Sequence, residues 1–121
     1  MWYSLLNLNQ IAPDAIQALV TVDDTSPWFS GHFPESPILP GIAQLDMVAD
    51  VIARNTGEQR HIQRLTRVKF KKIVSPGEQL EILATAMKTP NLYTFRITSE
   101  AQEVCSGTML LAITQEPAVC P

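Results

Sequence analysis

The sequence predicts an α+β domain in which a curved antiparallel β-sheet wraps around one long central α-helix. Three observations carry that prediction. A stretch from Pro40 to Asn55 repeats apolar residues at helical spacing, and strand-like segments parted by short turn clusters follow it. The third is length: 121 residues make a single domain, 1–121, with a core of its own but no room for a separate cofactor-binding domain.

Taken in order, Ile16–Val22 reads as a strand, with a further one over Trp2–Leu8. In the helix, Ile38, Ile42, Leu45, Ala49 and Ile52 recur at spacings of four and three, and Met47, Val48 and Val51 widen the apolar surface around most of the circumference. Pro40 suits the first helical position, where its missing N–H would have no partner, and Gly57 is placed to end the helix in a left-handed conformation. A helix apolar on nearly all sides exceeds what one small sheet covers, so a second subunit is expected to help bury it.

Strands follow over His61–Val74, Gln79–Lys88, Leu92–Ser99 and Glu103–Thr114. Ser75-Pro76-Gly77-Glu78, Thr89-Pro90-Asn91 and Glu100-Ala101-Gln102 separate them at hairpin lengths. In Tyr93-Thr94-Phe95-Arg96-Ile97-Thr98 large apolar residues alternate with polar ones, as in an antiparallel sheet with one buried face. There is no internal repeat or low-complexity stretch, and the nine prolines are scattered as turn punctuation.

Composition narrows the function classes. With 45% hydrophobic and 17% charged residues and no apolar run near the roughly 18 residues of a membrane span, the chain is expected to be soluble. Its start, Met1-Trp2-Tyr3-Ser4-Leu5, has neither the basic head nor the long apolar stretch of a secretory signal, which points to the cytoplasm. A net charge of −3 argues against nucleic acid as the main partner. Cys105 and Cys120 form no CxxC pair and read as free thiols, and two histidines with no cysteine cluster make a poor ligand set, so no metal or redox cofactor is expected.

The segment dense in both rigid backbone and titratable side chains runs from Gly31-His32-Phe33-Pro34 to Pro40-Gly41-Ile42-Ala43-Gln44-Leu45-Asp46. His32 titrates near cellular pH and can act as a base, or it can be a loop histidine held by a carbonyl. Asp46 sits early in an apolar helix, where burial without a cation would keep it protonated as an acid requires. Asp50, one turn on, pushes the same way unless Arg54 neutralises it, while the positive end of the helix pulls towards ionisation. Asp46 could instead merely hydrogen-bond His32 or an amide. Six of the nine basic residues, Arg60, Arg64, Arg67, Lys69, Lys71 and Lys72, fall in one short stretch. In a strand Arg67, Lys69 and Lys71 share one face and Val68 and Phe70 the other.

Ser26-Pro27-Trp28-Phe29-Ser30-Gly31-His32-Phe33-Pro34, then Pro37-Ile38-Leu39-Pro40-Gly41, then the acid Asp46, resembles the 3-hydroxyacyl-[acyl-carrier-protein] dehydratases of the hotdog fold (FabA/FabZ-like). Arg67-Val68-Lys69-Phe70-Lys71-Lys72-Ile73-Val74-Ser75-Pro76-Gly77-Glu78-Gln79-Leu80 is similar to that family's basic strand and Pro-Gly-acid turn, and together the similar segments span roughly residues 16 to 113. The resemblance implies dehydration of a 3-hydroxyacyl thioester, with His32 as base, Asp46 as acid and the Gly41 amide at the thioester oxygen. It places Phe33, Pro40 and Ile42 against the substrate. It also implies a homodimer whose sites each combine the His of one subunit with the acid of the other. The partner it implies is acyl carrier protein, which delivers the acyl chain on phosphopantetheine and would contact Arg64, Arg67, Lys69, Lys71 and Lys72. Three departures stand out: there is no His-Arg-Tyr-Pro-like opening, the acid is Asp46 rather than Glu, as in the subgroup that also isomerises the double bond, and Asp50 replaces the usual Gln. A hotdog thioesterase and a non-catalytic acyl-binding subunit are the competing readings.

Overall fold

The computed structural model describes residues 2–29 and 38–114. Gly31, His32, Phe33, Pro34, Pro37 and Cys120 lie outside that set. Six strands form one antiparallel sheet: β1 (Ser4–Ala12), β2 (Ala15–Thr21), β3 (Arg60–Phe70), β4 (Gln79–Ala86), β5 (Leu92–Ser99) and β6 (Gln102–Ile113). The spatial order is β1-β2-β4-β5-β6-β3, so β1 and β3 are the two edges. A 3-10 turn (Pro27–Phe29) and the helix α1 (Gly41–Thr56) lie between β2 and β3.

Alternation decides which face of the sheet meets the helix. Ile16, Ala18 and Val20 of β2 pair with Ala84, Ile82 and Leu80 of β4, and Ile82 and Ala84 pair in turn with Ile97 and Phe95 of β5. All eight side chains are buried. Onto this surface α1 lays Met47, Val48, Val51 and Ile52, each fully buried, at roughly 1.5–3 kcal/mol of transfer free energy per side chain.

The helix starts one residue later than the spacing predicts. Pro40 is the N-cap (φ −59°, ψ 150°) rather than the first helical residue, because the residues after it supply the first helical turn while its carbonyl accepts from Ala43 and Gln44. At the other end Gly57 is left-handed (φ 78°) and its N–H closes on the Ala53 carbonyl at 2.9 Å.

Three expectations need correction. The strand starting near His61 ends at Phe70, not Val74, and its alternation breaks at Arg67 (φ 55°), where the register with β6 shifts between Thr66 and Lys69. A bulge therefore separates Arg67 from Lys69, and the simple two-face pattern does not hold. The Ser75-Pro76-Gly77-Glu78 turn does not close a hairpin: β3 pairs with β6 and β4 with β2, so this connection crosses the fold. The first strand is Ser4–Ala12 rather than Trp2–Leu8, set by its pairing with β2 and by the tight Pro13-Asp14 turn. Leu92–Ser99 lies where the alternation puts it, and the β5–β6 turn is built from Glu100 and Ala101, both left-handed (φ 50° and 65°).

Candidate active site

The start of α1 presents backbone donors. Ala43 and Gln44 donate to the Pro40 carbonyl at 3.1 and 3.2 Å, which leaves the Gly41 and Ile42 N–H groups without an intrahelical acceptor. Buried Gln44 braces this end by donating from Nε2 to the Leu39 carbonyl at 3.2 Å, and the Leu39 N–H donates to the Val74 carbonyl at 2.9 Å. A Cβ at position 41 would lie 2.6 Å from Cζ of Phe70, so a larger residue there would push that half-exposed ring aside.

From that end one strip of α1 stays uncovered by the sheet. Ile42, Asp46, Ala49, Asp50 and Ala53 line a groove of about 740 Å³, together with Trp2, Tyr3 and Trp28 and with Gln59, Arg60, His61 and Ile62. Ile42, expected to pack in the core, is 70% exposed, because the sheet reaches the opposite side of the helix. Asp46 is exposed too, so the burial expected of it is not found within one chain. The expectation of a helix needing cover on nearly all sides narrows to this strip, since Ala43, Leu45, Met47, Val48, Val51 and Ile52 are already buried by their own chain.

Asp50 is neutralised locally. The Tyr3 hydroxyl donates to its Oδ2, and Arg54 Nε donates to the same oxygen at 3.0 Å. Of the two outcomes open from sequence, neutralisation by Arg54 is the one found, and Tyr3 adds a second donor. Burial first, and then the bond to Asp50, hold the Tyr3 phenol far above its usual range, so it remains a donor. The ring of Trp2 meets those of Tyr3 and Trp28 edge-on, with centroids 5.1 and 5.8 Å away. Sequence reasoning gave these three aromatics no role in the groove. Trp28 is far from the adjacent Trp2 and Tyr3 in the chain and meets Trp2 only in the folded protein.

The basic run divides. Arg60, its side chain 7% exposed, turns inward to donate to Asn91 Oδ1 (2.8 Å) and the Tyr93 hydroxyl (3.3 Å). Lys71 pairs with Glu103 at 2.6 Å and Lys72 with Glu78 at 3.3 Å. Arg64, Arg67 and Lys69 are exposed along β3. His61, the histidine among the described residues, lines the groove with Nδ1 3.0 Å from Thr114 Oγ1. Cys105 is a free, buried thiol, pushed up to about 11 by burial and then by Glu103. Among the described residues no group of three or more His, Cys, Asp or Glu could hold a metal ion, and no helix is long and apolar enough to cross a membrane.

Comparison with known proteins places this arrangement. The sequence model of the ApeI-like family, described as ApeI dehydratase, matches residues 9–108. The 3-hydroxyacyl-[acyl-carrier-protein] dehydratase FabZ of Streptococcus pneumoniae serotype 4 (strain ATCC BAA-334 / TIGR4) is 32% identical over 116 residues, covering 86% of this chain and 81% of the relative. FabZ of Streptococcus mutans serotype c has the same identity and coverage. Among solved structures, the dehydratase heterocomplex ApeI:P from Xenorhabdus doucetiae superposes with a TM-score of 0.82 at 28% identity, covering 93% of this chain and 99% of that one. A hypothetical thioesterase with coenzyme A from Streptococcus pneumoniae TIGR4 aligns at a TM-score of 0.64 and 11% identity, over 96% of this chain and 88% of that one, which is a likeness of fold alone. The helix cradled by six antiparallel strands is the hotdog fold, and the chain belongs to the ApeI-like family of dehydratases.

Proposed function

We propose that the chain dehydrates 3-hydroxyacyl thioesters of acyl carrier protein to the trans-2-enoyl thioesters, in fatty-acid synthesis or a related polyene or polyketide route. The observation that carries this reading is the position of Asp46: on the open strip of α1, in the groove, roughly 7–8 Å of axial rise beyond the Gly41 amide. An acyl group whose carbonyl oxygen meets the helix N-terminus then has its C3 hydroxyl within reach of the carboxyl.

In this reaction His32 takes the C2 proton, the Gly41 N–H stabilises the charge that develops on the thioester oxygen, and Asp46 protonates the departing hydroxyl. Water leaves and the C2–C3 double bond forms, with no metal or redox cofactor required. The acyl chain arrives on the phosphopantetheine arm of its carrier, and exposed Arg64, Arg67 and Lys69 offer that acidic protein weak, salt-sensitive contacts. A second copy of the chain completes the site by placing its His32 opposite Asp46. Two features support that assembly: β3 is a sheet edge with open hydrogen-bonding groups, and exposed Ile42, Leu65, Phe70 and Ile73 lie at the helix start and on or just beyond that edge. A cytoplasmic location agrees with a carrier-bound substrate.

The test is mass spectrometry of carrier-bound 3-hydroxyacyl chains incubated with the purified protein. Loss of one water is expected, and His32→Ala and Asp46→Asn should each slow it by about 10²–10⁴-fold. Release of free acid would replace this reading with a thioesterase. Retained binding without turnover would make the chain a non-catalytic subunit.

A further inference from the structure

Two carboxylates stand one turn apart on the open strip of α1, and the chain treats them differently. Asp50 Oδ2 receives the Tyr3 hydroxyl and Arg54 Nε, whereas among the described residues no side-chain hydrogen bond or ion pair engages Asp46. Tyr3 is only 4% exposed and is wedged beside Trp2, which meets Trp28, so its hydroxyl is a fixed donor.

We propose that Tyr3, Asp50 and Arg54 form a positioning set for Asp46, holding the second carboxylate neutralised and turned towards β1 so that Asp46 titrates alone against the substrate. The proposal rests on Asp46 being the acid of the dehydration. Residues one turn apart on a helix have Cβ atoms about 5–6 Å apart, close enough for two carboxylates to share a proton and titrate as a pair. A shared proton would spoil an acid that must give it to a leaving hydroxyl at C3. Tyr3 and Arg54 prevent the sharing from two sides: the hydroxyl fixes where Oδ2 points, and the guanidinium cancels its charge.

The other charged groups lining the groove are already engaged. Arg60 points to Asn91 and Tyr93 with Glu58 at 3.9 Å, and His61 faces Thr114 through Nδ1. Opposite errors therefore follow from removing opposite members of the set. Without the Arg54 charge, Asp50 becomes an uncompensated anion beside Asp46, which then holds its proton to higher pH. Without the Asp50 charge, the anion one turn from Asp46 is gone while the Arg54 charge stays, and Asp46 loses its proton at lower pH.

The test is a carboxyl-carbon NMR titration of Asp46 in the assembled wild-type protein and in Arg54→Met, Asp50→Asn and Tyr3→Phe, run beside the pH dependence of dehydration. Asp50→Asn still accepts from Tyr3, so the buried hydroxyl keeps a partner. The midpoint for Asp46 is expected to fall by about half a pH unit in Asp50→Asn, as one charge some 6 Å away gives under water-like screening, and to rise by less in Arg54→Met, whose charge lies a further turn along the helix. Tyr3→Phe should move it upwards by less. Because the acid must be protonated to act, the alkaline limb of the activity profile should follow the same directions. Shifts of the same sign in Arg54→Met and Asp50→Asn, or none in either, would overturn the positioning set. Full activity in Asp46→Asn would overturn the acid assignment instead, with the opposed titration shifts still testing the set on their own.

Discussion

The two sides of α1 obey different rules. On the side towards the sheet, Met47, Val48, Val51 and Ile52 have no exposed surface and belong to the hydrophobic core. On the other side, a turn or less away, Ile42 and Asp46 are exposed and Asp50 is tied to Tyr3 and Arg54. The first side holds the fold together by burial. The second leaves an apolar residue, an acid and free backbone donors facing a groove, an arrangement that adds nothing to the stability of the single chain and supplies groups for chemistry. A helix whose apolar residues exceed what its own sheet covers thus marks where another molecule is expected, substrate or second subunit.

The largest effect on stability should come from the covered side. Ile52→Ala removes a fully buried side chain against the sheet and is expected to cost about 2–5 kcal/mol, read from the denaturant midpoint. A loss well under 1 kcal/mol would mean that the two sides differ less than their exposure indicates.

A smaller effect, of another kind, should come from the open side. Ile42→Ser leaves the chain's own core intact, so its far-UV circular dichroism should match wild type. Covering an isoleucine contributes about 1.5–3 kcal/mol, so self-association should weaken about tenfold or more, seen as earlier dissociation on dilution in sedimentation runs. Unchanged association would show that a second copy does not cover this strip.

The smallest effect concerns a carboxylate away from the strip. Burial alone would raise Glu78, but the Ser75 amide, the Ser99 hydroxyl at 2.9 Å and Lys72 at 3.3 Å outweigh it and hold its carboxyl below the ordinary value of 4.5. A depressed carboxylate stabilises the fold above the unfolded-state value, and that contribution is lost as pH falls through the lower folded-state value. Glu78→Gln is therefore expected to cost about 1 kcal/mol near neutral pH, with the difference from wild type closing in acid. A constant difference across pH would assign the loss to packing instead.

Much of this was legible before the structure, for identifiable reasons. The alternation in Tyr93–Thr98 placed β5 because one face of a strand must be buried, and Gly57 marked the helix end because few other residues adopt φ near 78° at no cost. Misreadings occurred where distant residues decide. Nothing local to Arg67 announces a bulge, since the bulge is a relation between β3 and β6. Periodicity counted Ile42 as core because it measures which residues are apolar, not whether a neighbour reaches them. The basic run looked uniform, although Arg60, Lys71 and Lys72 each found partners on other segments.

The sequence alone determined the α+β class, the helix and its approximate limits, and the candidate acid, glycine and histidine, because these follow from periodicity, from backbone preferences and from motif resemblance within short stretches. Tertiary structure alone decided the strand order, the groove of Trp2, Tyr3 and Trp28, the contact of Tyr3 with Asp50 and the exposure of Asp46. Each of these depends on which segments, remote in the chain, come to lie side by side, and a linear pattern carries no record of distance in space.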